Sequence, residues 1–497
     1  MSIRHKGVFV YNKCYGYANL QHQVPIDSNT VFHIASVSKQ FTVMALLLCQ
    51  EDGLLNIDDE VRNYVPEYIG FSQPVTLRQM MNNISGIRDI WELQMMRGVR
   101  IDDTITQQDA LSIIASQKEL NFKPGSRYCY SNSNFVLLAA VVEKVTKKTL
   151  QQFLKERVFD PLDMKHTQIC ENYWQWIPNR AESYYNNGLS FQRHVLNYGC
   201  YGATALNSTA NDLMKWLAAF GTDQISSKAV WEQMFQVATV TGDEPTTYAG
   251  GLEIGDTDGK RYVEHGGSDA SFRAYVRHYL DEELDIVLLS NTQAPFLPLL
   301  MERIVNLIFG RATQSEALSE LCIEDTNPKE AIGIYYKDTP DYFYYDIEQK
   351  ADGLYIKEQY VDTPLFPVNG NRFRIGAYRS FYLDLEKDAG RVSINKNVTP
   401  LKKELKKPDF MDRCYEGRYE SGELETAYEI KVKDGYLYAK HFRNGEIRLV
   451  KADKDRFIGQ MRNLILEFWF KRNSQNEMEG FLLSSDRVWN VNFNRKK

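Results

Sequence analysis

The chain lacks several features that would point directly to a function. Its formal net charge is −6 over 497 residues, without a basic arm or patch, which argues against nucleic acid as a partner. Its longest apolar runs, at 43–49 and 135–142, are too short to span a bilayer. The seven cysteines are scattered and include no Cys-x-x-Cys pair. They therefore indicate free thiols in a reducing compartment and predict no metal site.

Length and composition are those of an ordinary globular protein. At 497 residues, with 43% hydrophobic and 25% charged residues, the chain predicts two or three domains. No signal peptide, with its charged start and following apolar stretch, precedes the strand-like segment 7–11. The sequence as it stands therefore predicts a cytoplasmic protein. A missing beginning would leave an extracytoplasmic location open. Composition also leaves homo-oligomerisation open.

One short motif places a hydroxyl and an amine one helical turn apart. Ser36 and Lys39 belong to Ser-Val-Ser-Lys, and apolar residues then recur over 41–48 at the spacing of one buried helical face. Gly53 predicts the end of this helix. Ser36 and Lys39 fall on the same side, and the positive end of the helix at Ser36 favours a developing oxyanion. Ser36 is therefore a candidate nucleophile with Lys39 as its base.

This motif needs partners before it can act. With a reference pKa of about 10.4, a neutral lysine at pH 7 costs about 4.6 kcal/mol. Burial and a second proton acceptor shift a lysine pKa by roughly 3 to 5 units, which removes that cost. The alternative is a helix-capping serine beside a solvated lysine. Residues 393–396 also match Ser-x-x-Lys, but they lie in a strand-like segment that points the two side chains to opposite faces.

A second element, Tyr130-Ser131-Asn132, follows a Pro-Gly turn and precedes a buried helical run. A phenol near Lys39 can take part in the proton transfer, because one of the two groups can hold a proton while the other accepts the hydroxyl proton of Ser36. Asn132 can donate to a substrate carbonyl while positioning the lysine. The other Tyr-x-Asn copies, at 17–19, 184–186 and 185–187, lack this context and are interpreted as loop or strand residues.

A third element, His265-Gly266-Gly267-Ser268, lies between two strand-like segments. Consecutive glycines allow a ligand to approach the backbone closely, so this segment is a candidate substrate-binding site. The N–H of Ser268 is a candidate oxyanion donor. The alternative for an isolated His-Gly-Gly is a simple bend.

Together the three elements resemble the penicillin-recognising serine hydrolases, meaning class C beta-lactamases, serine D,D-peptidases, D-aminopeptidases and related esterases. The resemblance covers most of residues 7–310 and includes further landmarks in the usual order: Gly16-Tyr17-Ala18-Asn19, residues 75–81 with Ser85-Gly86, and residues 160–164. It implies Ser36 as the acylated nucleophile, with no metal or organic cofactor. It also implies Lys39 and Tyr130 as the proton-transfer pair and Asn132 as the substrate-orienting residue. The implied oxyanion hole is formed by the N–H groups of Ser36 and Ser268.

Two departures from this family are visible. His265 stands where the lactamases and D,D-peptidases carry a lysine that helps to receive the substrate carboxylate. Because histidine is mostly neutral at pH 7, the change weakens the case for binding penicillin or a C-terminal D-Ala carboxylate. The His-x-Gly pattern, with Gly267 as its glycine, is similar to D-aminopeptidases and certain esterases. The chain also starts almost inside the strand at 7–11, whereas relatives usually have a helix and another strand before it.

The sequence changes character near residue 312. A polar stretch, 311–329, reads as a linker, and aromatic and β-branched alternation follows it. Three short motifs beginning at 333, 352 and 371 recur at 417, 434 and 455, which are offsets of 84, 82 and 84 residues. The repeat predicts two related all-β modules, 325–408 and 409–497, each a small antiparallel barrel behind a catalytic domain, 1–315. This arrangement also resembles the D-aminopeptidases.

The expected fold class is α+β. We expect an antiparallel sheet flanked by helices, with an all-helical part over roughly residues 55–200, followed by two barrel-like modules. The sheet and the helical part are implied by the resemblance. The expected function is a serine hydrolase that forms an acyl-enzyme with a small amide or peptide carrying a D-residue. Two alternatives stay open: a carboxylesterase or beta-lactamase-like hydrolase, and a non-catalytic binding protein.

Overall fold

The computed structural model describes residues 1–496 except 101, 243–244, 295, 312–330, 338–342, 358–361, 370, 378–380, 386–388, 395–396, 405–412 and 463. The chain divides into two units. The first comprises residues 1–91, 101–185 and 192–305, and the second comprises 92–100, 186–191 and 306–497. Most of the predicted linker and the predicted domain boundaries at 315, 325, 408 and 409 lie outside the described residues.

A six-stranded antiparallel sheet forms the framework of the first unit. Its strands, in order across the sheet, are Glu253–Thr257, Lys260–Asp269, Phe272–Tyr279, Leu284–Ser290, Ser2–His5 and Val8–Asn12. Residues 284–288 are all buried, as expected for a central strand covered on both faces. The strand predicted at 7–11 is confirmed with a shift of one residue, and Ser2–His5 precedes it. We name Lys260–Asp269 the site strand.

Helices and short strands surround this sheet. The helices that lie in or enter the first unit are Lys39–Glu51, Leu77–Met81, Ile90–Arg97, Gln107–Ala115, Asn132–Thr146, Leu150–Leu154, Ala210–Ala218, Lys228–Met234 and Leu297–Ile308. The expectation of an all-helical part over 55–200 was too broad, because short strands interrupt it at Ile105–Thr106, Gln168–Ile169, Tyr184–Asn186, Phe191–Arg193 and Tyr198–Gly199. After residue 160 this region alternates turns with short β segments and loses the helical period.

The helix Lys39–Glu51, which we name the nucleophile helix, lies inside the core. All of residues 39–49 are buried, as in a helix that is covered on every side. Its Phe41 ring lies 4.3 Å from the ring of Trp216 and 5.9 Å from that of Phe159. The helix ends at Glu51, two residues before the predicted stop at Gly53, whose positive φ of 71° is the left-handed conformation that glycine adopts readily after a helix. The helix is therefore a rigid support for the motif at its start.

The second unit contains two closed eight-stranded antiparallel barrels, which confirms the predicted β modules. The first has strands Gly333–Lys337, Phe343–Lys350, Gly353–Ile356, Thr363–Asn369, Arg372–Ile375, Phe381–Leu385, Ala389–Ile394 and Asn397–Lys403. The second has strands Gly417–Ser421, Thr426–Lys433, Tyr436–His441, Gly445–Asp453, Arg456–Met461, Leu464–Arg472, Met478–Ser484 and Val491–Arg495. The repeated motifs fall at equivalent places: the first strand, the second hairpin and the fourth hairpin of each barrel.

Two segments that come early in the chain belong to the second unit. In the segment 92–100, the carbonyl of Met96 accepts a hydrogen bond from Tyr428 Oη at 2.9 Å, and the carbonyl of Met95 accepts one from Asn444 Nδ2 at 2.9 Å. Ser485 Oγ also donates to Glu92 Oε2. The segment is thus held by polar groups of the second barrel. Among the described residues, no helix is long and apolar enough to cross a membrane.

Candidate active site

Ser36 and Lys39 meet as the spacing predicts. The Lys39 side chain is fully buried, and its Nζ lies 3.0 Å from Ser36 Oγ. The same Nζ donates to Asn132 Oδ1 and to the carbonyl of Ala203, each at 2.8 Å. This geometry excludes the alternative of a solvated lysine. The amine thus contacts two carbonyl oxygens and the hydroxyl of Ser36.

Ser36 lies in a short 3₁₀ turn, Ala35–Ser38, that leads directly into the nucleophile helix. Ala35 has a φ of +50°, a left-handed conformation that is unfavourable for a residue with a Cβ. The site strand packs against this turn at Gly267, where a Cβ would meet the carbonyl oxygen of Ile34 well inside van der Waals contact. Glycine is therefore required at 267 for the strand to approach the nucleophile.

Asn132 is held in place by a buried carboxylate. Oδ2 of Asp89 accepts hydrogen bonds from the backbone N–H of Asn132 at 2.7 Å and from its Nδ2 at 2.6 Å. Because the carboxylate only accepts, the amide of Asn132 must direct Nδ2 towards Asp89 and Oδ1 towards Lys39. Asp89 is fully buried and follows the Ser85-Gly86 landmark by three residues. It acts through Asn132 as a positioning residue.

Tyr130 lies beside the Lys39 amine. The Nζ of Lys39 is 4.8 Å from the centre of the Tyr130 ring. A buried asparagine fixes the adjoining backbone, because Asn83 Oδ1 accepts from the N–H of Ser131 at 3.1 Å and from Asn134 Nδ2 at 2.9 Å. The three predicted catalytic residues are thus brought together by the 3₁₀ turn Ala35–Ser38, the start of the nucleophile helix and the turn before helix Asn132–Thr146.

The site strand offers its Ser268 N–H to the same space. The strand ends in a two-residue hairpin that pairs Asp269 with Phe272, and antiparallel pairs alternate along the strand between hydrogen-bonded and non-hydrogen-bonded types. Asp269 belongs to the hydrogen-bonded pair next to the turn, so Ser268 belongs to a non-hydrogen-bonded pair. The N–H of Ser268 therefore points away from the neighbouring strand. On that side Glu253–Thr257 pairs only as far as Glu264, so in the described chain no strand covers Ser268.

His265 lies in the wall of the site and has both ring nitrogens engaged. Nε2 is 3.0 Å from Tyr248 Oη, and Nδ1 is 2.6 Å from the carbonyl oxygen of Gly266. Burial, and then the nearby Lys39 charge, lower the pKa of His265 to about 3. The ring is therefore neutral, with Nδ1–H donating to the Gly266 carbonyl and Nε2 accepting from Tyr248.

The structure brings all seven sequence-predicted site residues into one region of the first unit. Sequence reasoning missed three contributors, namely Asp89, Ala203 and Tyr248. Ala203 acts through its carbonyl, which carries no side-chain signal. The landmark Ser85-Gly86 lies in the segment that contains Asp89. A carboxylate three residues after this landmark is the sequence signal that could have identified Asp89.

The family comparison agrees with this geometry. The beta-lactamase family model matches residues 1–306. The chain therefore belongs to the beta-lactamase family, which is a family of serine hydrolases.

Individual relatives extend the picture. The chain is 28% identical over 58% of its length to a D-aminopeptidase of Cereibacter sphaeroides, of which the match covers only 55%. A D-aminopeptidase of another strain of this species is 24% identical over 87% of the chain and is covered to 81%. An octameric penicillin-binding protein homologue from Pyrococcus abyssi has a similar fold, with a TM-score of 0.56, 19% identity, and coverage of 100% of this chain and 95% of that chain.

Proposed function

We propose that this protein is a serine hydrolase that forms an acyl-enzyme on Ser36 and cleaves a small amide or peptide with a D-residue on the acyl side. The observation that carries the proposal is the buried Lys39 amine, 3.0 Å from Ser36 Oγ and held by two carbonyl oxygens. The preference for a D-residue is proposed from the relatives named D-aminopeptidase.

The proposed acylation follows from these contacts. In this step a neutral Lys39 donates to Asn132 Oδ1 and to the Ala203 carbonyl, and its lone pair accepts the proton of the Ser36 hydroxyl, which lies 3.0 Å away. The amine takes the hydroxyl proton as Oγ attacks the substrate carbonyl carbon, and the carbonyl π electrons move onto oxygen. The N–H groups of Ser36 and Ser268 stabilise that oxyanion.

Collapse of the tetrahedral intermediate completes the reaction. The carbonyl re-forms, the bond to the leaving nitrogen breaks, and the proton passes to that nitrogen through Lys39 and Tyr130. Water then attacks the acyl-enzyme with the same groups acting in reverse, releasing the acid and free Ser36.

His265 restricts the substrate. A neutral ring with both nitrogens engaged by protein groups does not supply the positive charge that a carboxylate at this position needs. We therefore expect weak turnover of beta-lactams and of peptides recognised through a C-terminal carboxylate. An ester uses the same residues with a better leaving group, so carboxylesterase activity is the alternative to be measured.

The first experiment asks whether Ser36 is activated. Fluorophosphonate treatment followed by intact-mass analysis should give one adduct on the wild type and none on Ser36→Ala. Ser393→Ala, which removes the serine of the other Ser-x-x-Lys match, is the control and should label like the wild type. An adduct that persists in Ser36→Ala, or no adduct on folded wild type, would contradict the proposal and favour a binding protein.

The second experiment defines the substrate. Turnover of matched D- and L-aminoacyl p-nitroanilides is compared with that of the corresponding esters, for wild type and Ser36→Ala. D-amide turnover that exceeds L-amide turnover and is lost in the variant supports the proposal. Turnover confined to esters identifies a carboxylesterase instead.

A further inference from the structure

The end of the site strand carries a carboxylate that the proposed reaction does not use. Asp269 is the last residue of this strand and directly follows Ser268, the candidate oxyanion donor. Two residues earlier, Gly267 lies against the backbone just before the nucleophile. Residues two apart on a strand point their side chains to the same face. The side chain of Asp269 therefore lies on the face of the site strand that packs, at Gly267, against the backbone before Ser36. Asp269 thus lies at the edge of the site.

Neutral groups hold one oxygen of this carboxylate. Oδ2 of Asp269 lies 3.1 Å from His33 Nε2 and 2.9 Å from Thr204 Oγ1, and it also accepts from the hydroxyl of Tyr198. Burial lowers the pKa of His33, so its ring is neutral and donates through Nε2–H. The three groups orient the carboxylate without neutralising its charge.

The other oxygen is left for a ligand. Within the described residues, Oδ1 of Asp269 takes no hydrogen bond, and the single ion-pair contact of Asp269 is with the neutral His33. The side chain is 12% exposed, so it reaches solvent. A mostly buried carboxylate with one oxygen fully bonded and no cationic partner favours binding a cation that can donate hydrogen bonds.

This carboxylate is connected to the rest of the site. The ring of Tyr198, which donates to Asp269, lies 5.0 Å from the ring of Trp91. The N–H of Trp91 donates to Asp89 Oδ1 at 2.9 Å, and Asp89 holds Asn132. Tyr198 and Trp91 therefore connect Asp269 with the residues that hold Asn132, whereas His265 lies four residues back along the site strand.

We infer that Oδ1 of Asp269 receives the α-ammonium group of the substrate, so that the enzyme acts on the N-terminal residue of an amide or peptide. The inference rests on the proposed function, because it assumes that Ser36 attacks the carbonyl carbon. In an aminoacyl substrate the ammonium nitrogen is two bonds from that carbon. When the carbonyl oxygen binds at the Ser268 N–H, the ammonium group lies next to the following residue of the strand.

The test compares two substrates that differ only in this group. D-Alanine p-nitroanilide carries the α-ammonium group, and propanoyl p-nitroanilide lacks it; both are assayed at pH 7, where the amine is largely protonated. The quantity measured is the ratio of their kcat/KM values. Asp269→Asn removes the charge while keeping the shape, and the ratio should fall about 10- to 100-fold, as for loss of a charge-assisted hydrogen bond.

Asp281→Asn is the matched control, because Asp281 is an exposed carboxylate in the next hairpin of the same sheet. Its ratio should stay within threefold of the wild-type value. A ratio that is equally unchanged in Asp269→Asn overturns the inference, as does a wild type that does not prefer the free amine. Fluorophosphonate labelling of Ser36 separates the outcomes: labelled protein without an amine preference refutes only the role of Asp269, whereas absent labelling refutes the hydrolase.

A measurement on wild type covers the case of a variant that does not fold. D-Alaninamide should protect Ser36 from fluorophosphonate at least about tenfold better than propanamide, which lacks the amine. Equal protection by the two amides overturns the assignment to Asp269.

Discussion

Replacing Asp89 by asparagine should lower the hydrolysis rate through Asn132, which Asp89 holds and which in turn accepts a hydrogen bond from Lys39. Oδ2 of Asp89 accepts both N–H groups of Asn132, and Oδ1 accepts the N–H of Trp91. An amide of the same shape offers only one accepting oxygen for these three donors. Either one N–H faces another donor, or the amide of Asn132 rotates and turns its Nδ2 towards Lys39.

In either arrangement the loss of the negative charge weakens the hydrogen bonds to Asn132, and with them the hold on the Lys39 amine. A charge-assisted hydrogen bond contributes about 1.5 to 3 kcal/mol, and about 1.4 kcal/mol corresponds to a factor of ten. We therefore expect kcat/KM to fall about 10- to 100-fold in Asp89→Asn. The free energy of unfolding should fall by about 1 to 3 kcal/mol, because a buried donor loses its acceptor.

Amide turnover, the rate of fluorophosphonate labelling and urea unfolding measure these effects together. Asp58→Asn is the control, since Asp58 is an exposed carboxylate paired with Arg78. Its turnover should match the wild type and its stability should change by less than about 1 kcal/mol. Folded Asp89→Asn protein with turnover within threefold of wild type would refute the positioning role.

Two further changes test the site strand. Gly267→Ala should slow fluorophosphonate labelling and destabilise the fold by about 1 to 3 kcal/mol, because the new Cβ meets the Ile34 carbonyl. Gly422→Ala is the control, since a Cβ at Gly422 meets no atom within 4 Å. Equal labelling rates and stabilities of the two variants would contradict the packing argument. The unfolded state should bind a proton at His265 that the folded state, with a pKa of about 3, does not, so stability should fall as pH drops below about 6.5. In urea unfolding between pH 6.5 and 5, His265→Asn should show a shallower loss than wild type, and equal slopes would contradict the buried neutral ring.

The sequence was most informative where chemistry and local period coincide. The spacing of Ser36 and Lys39 predicted their contact, because residues three apart on a helix share one side. The 82- to 84-residue repeat predicted two barrels, since each copy carries the same turns. The supports of the Lys39 amine were harder to predict. They come from residues 93 and 164 positions away in the chain, and one of them is a backbone carbonyl.

The site strand also shows why a motif alone could not select a substrate. The replacement of a family lysine by His265 suggested only that a carboxylate binds weakly, and the structure adds the reason, since both ring nitrogens are already bonded. Four residues further along the strand, Asp269 follows Ser268, and no described residue donates a hydrogen bond to its Oδ1. We therefore expect a substrate with a C-terminal carboxylate to meet a neutral ring at His265, and one with an N-terminal ammonium group to meet the carboxylate of Asp269. This polarity favours cleavage after an N-terminal residue over cleavage before a C-terminal one.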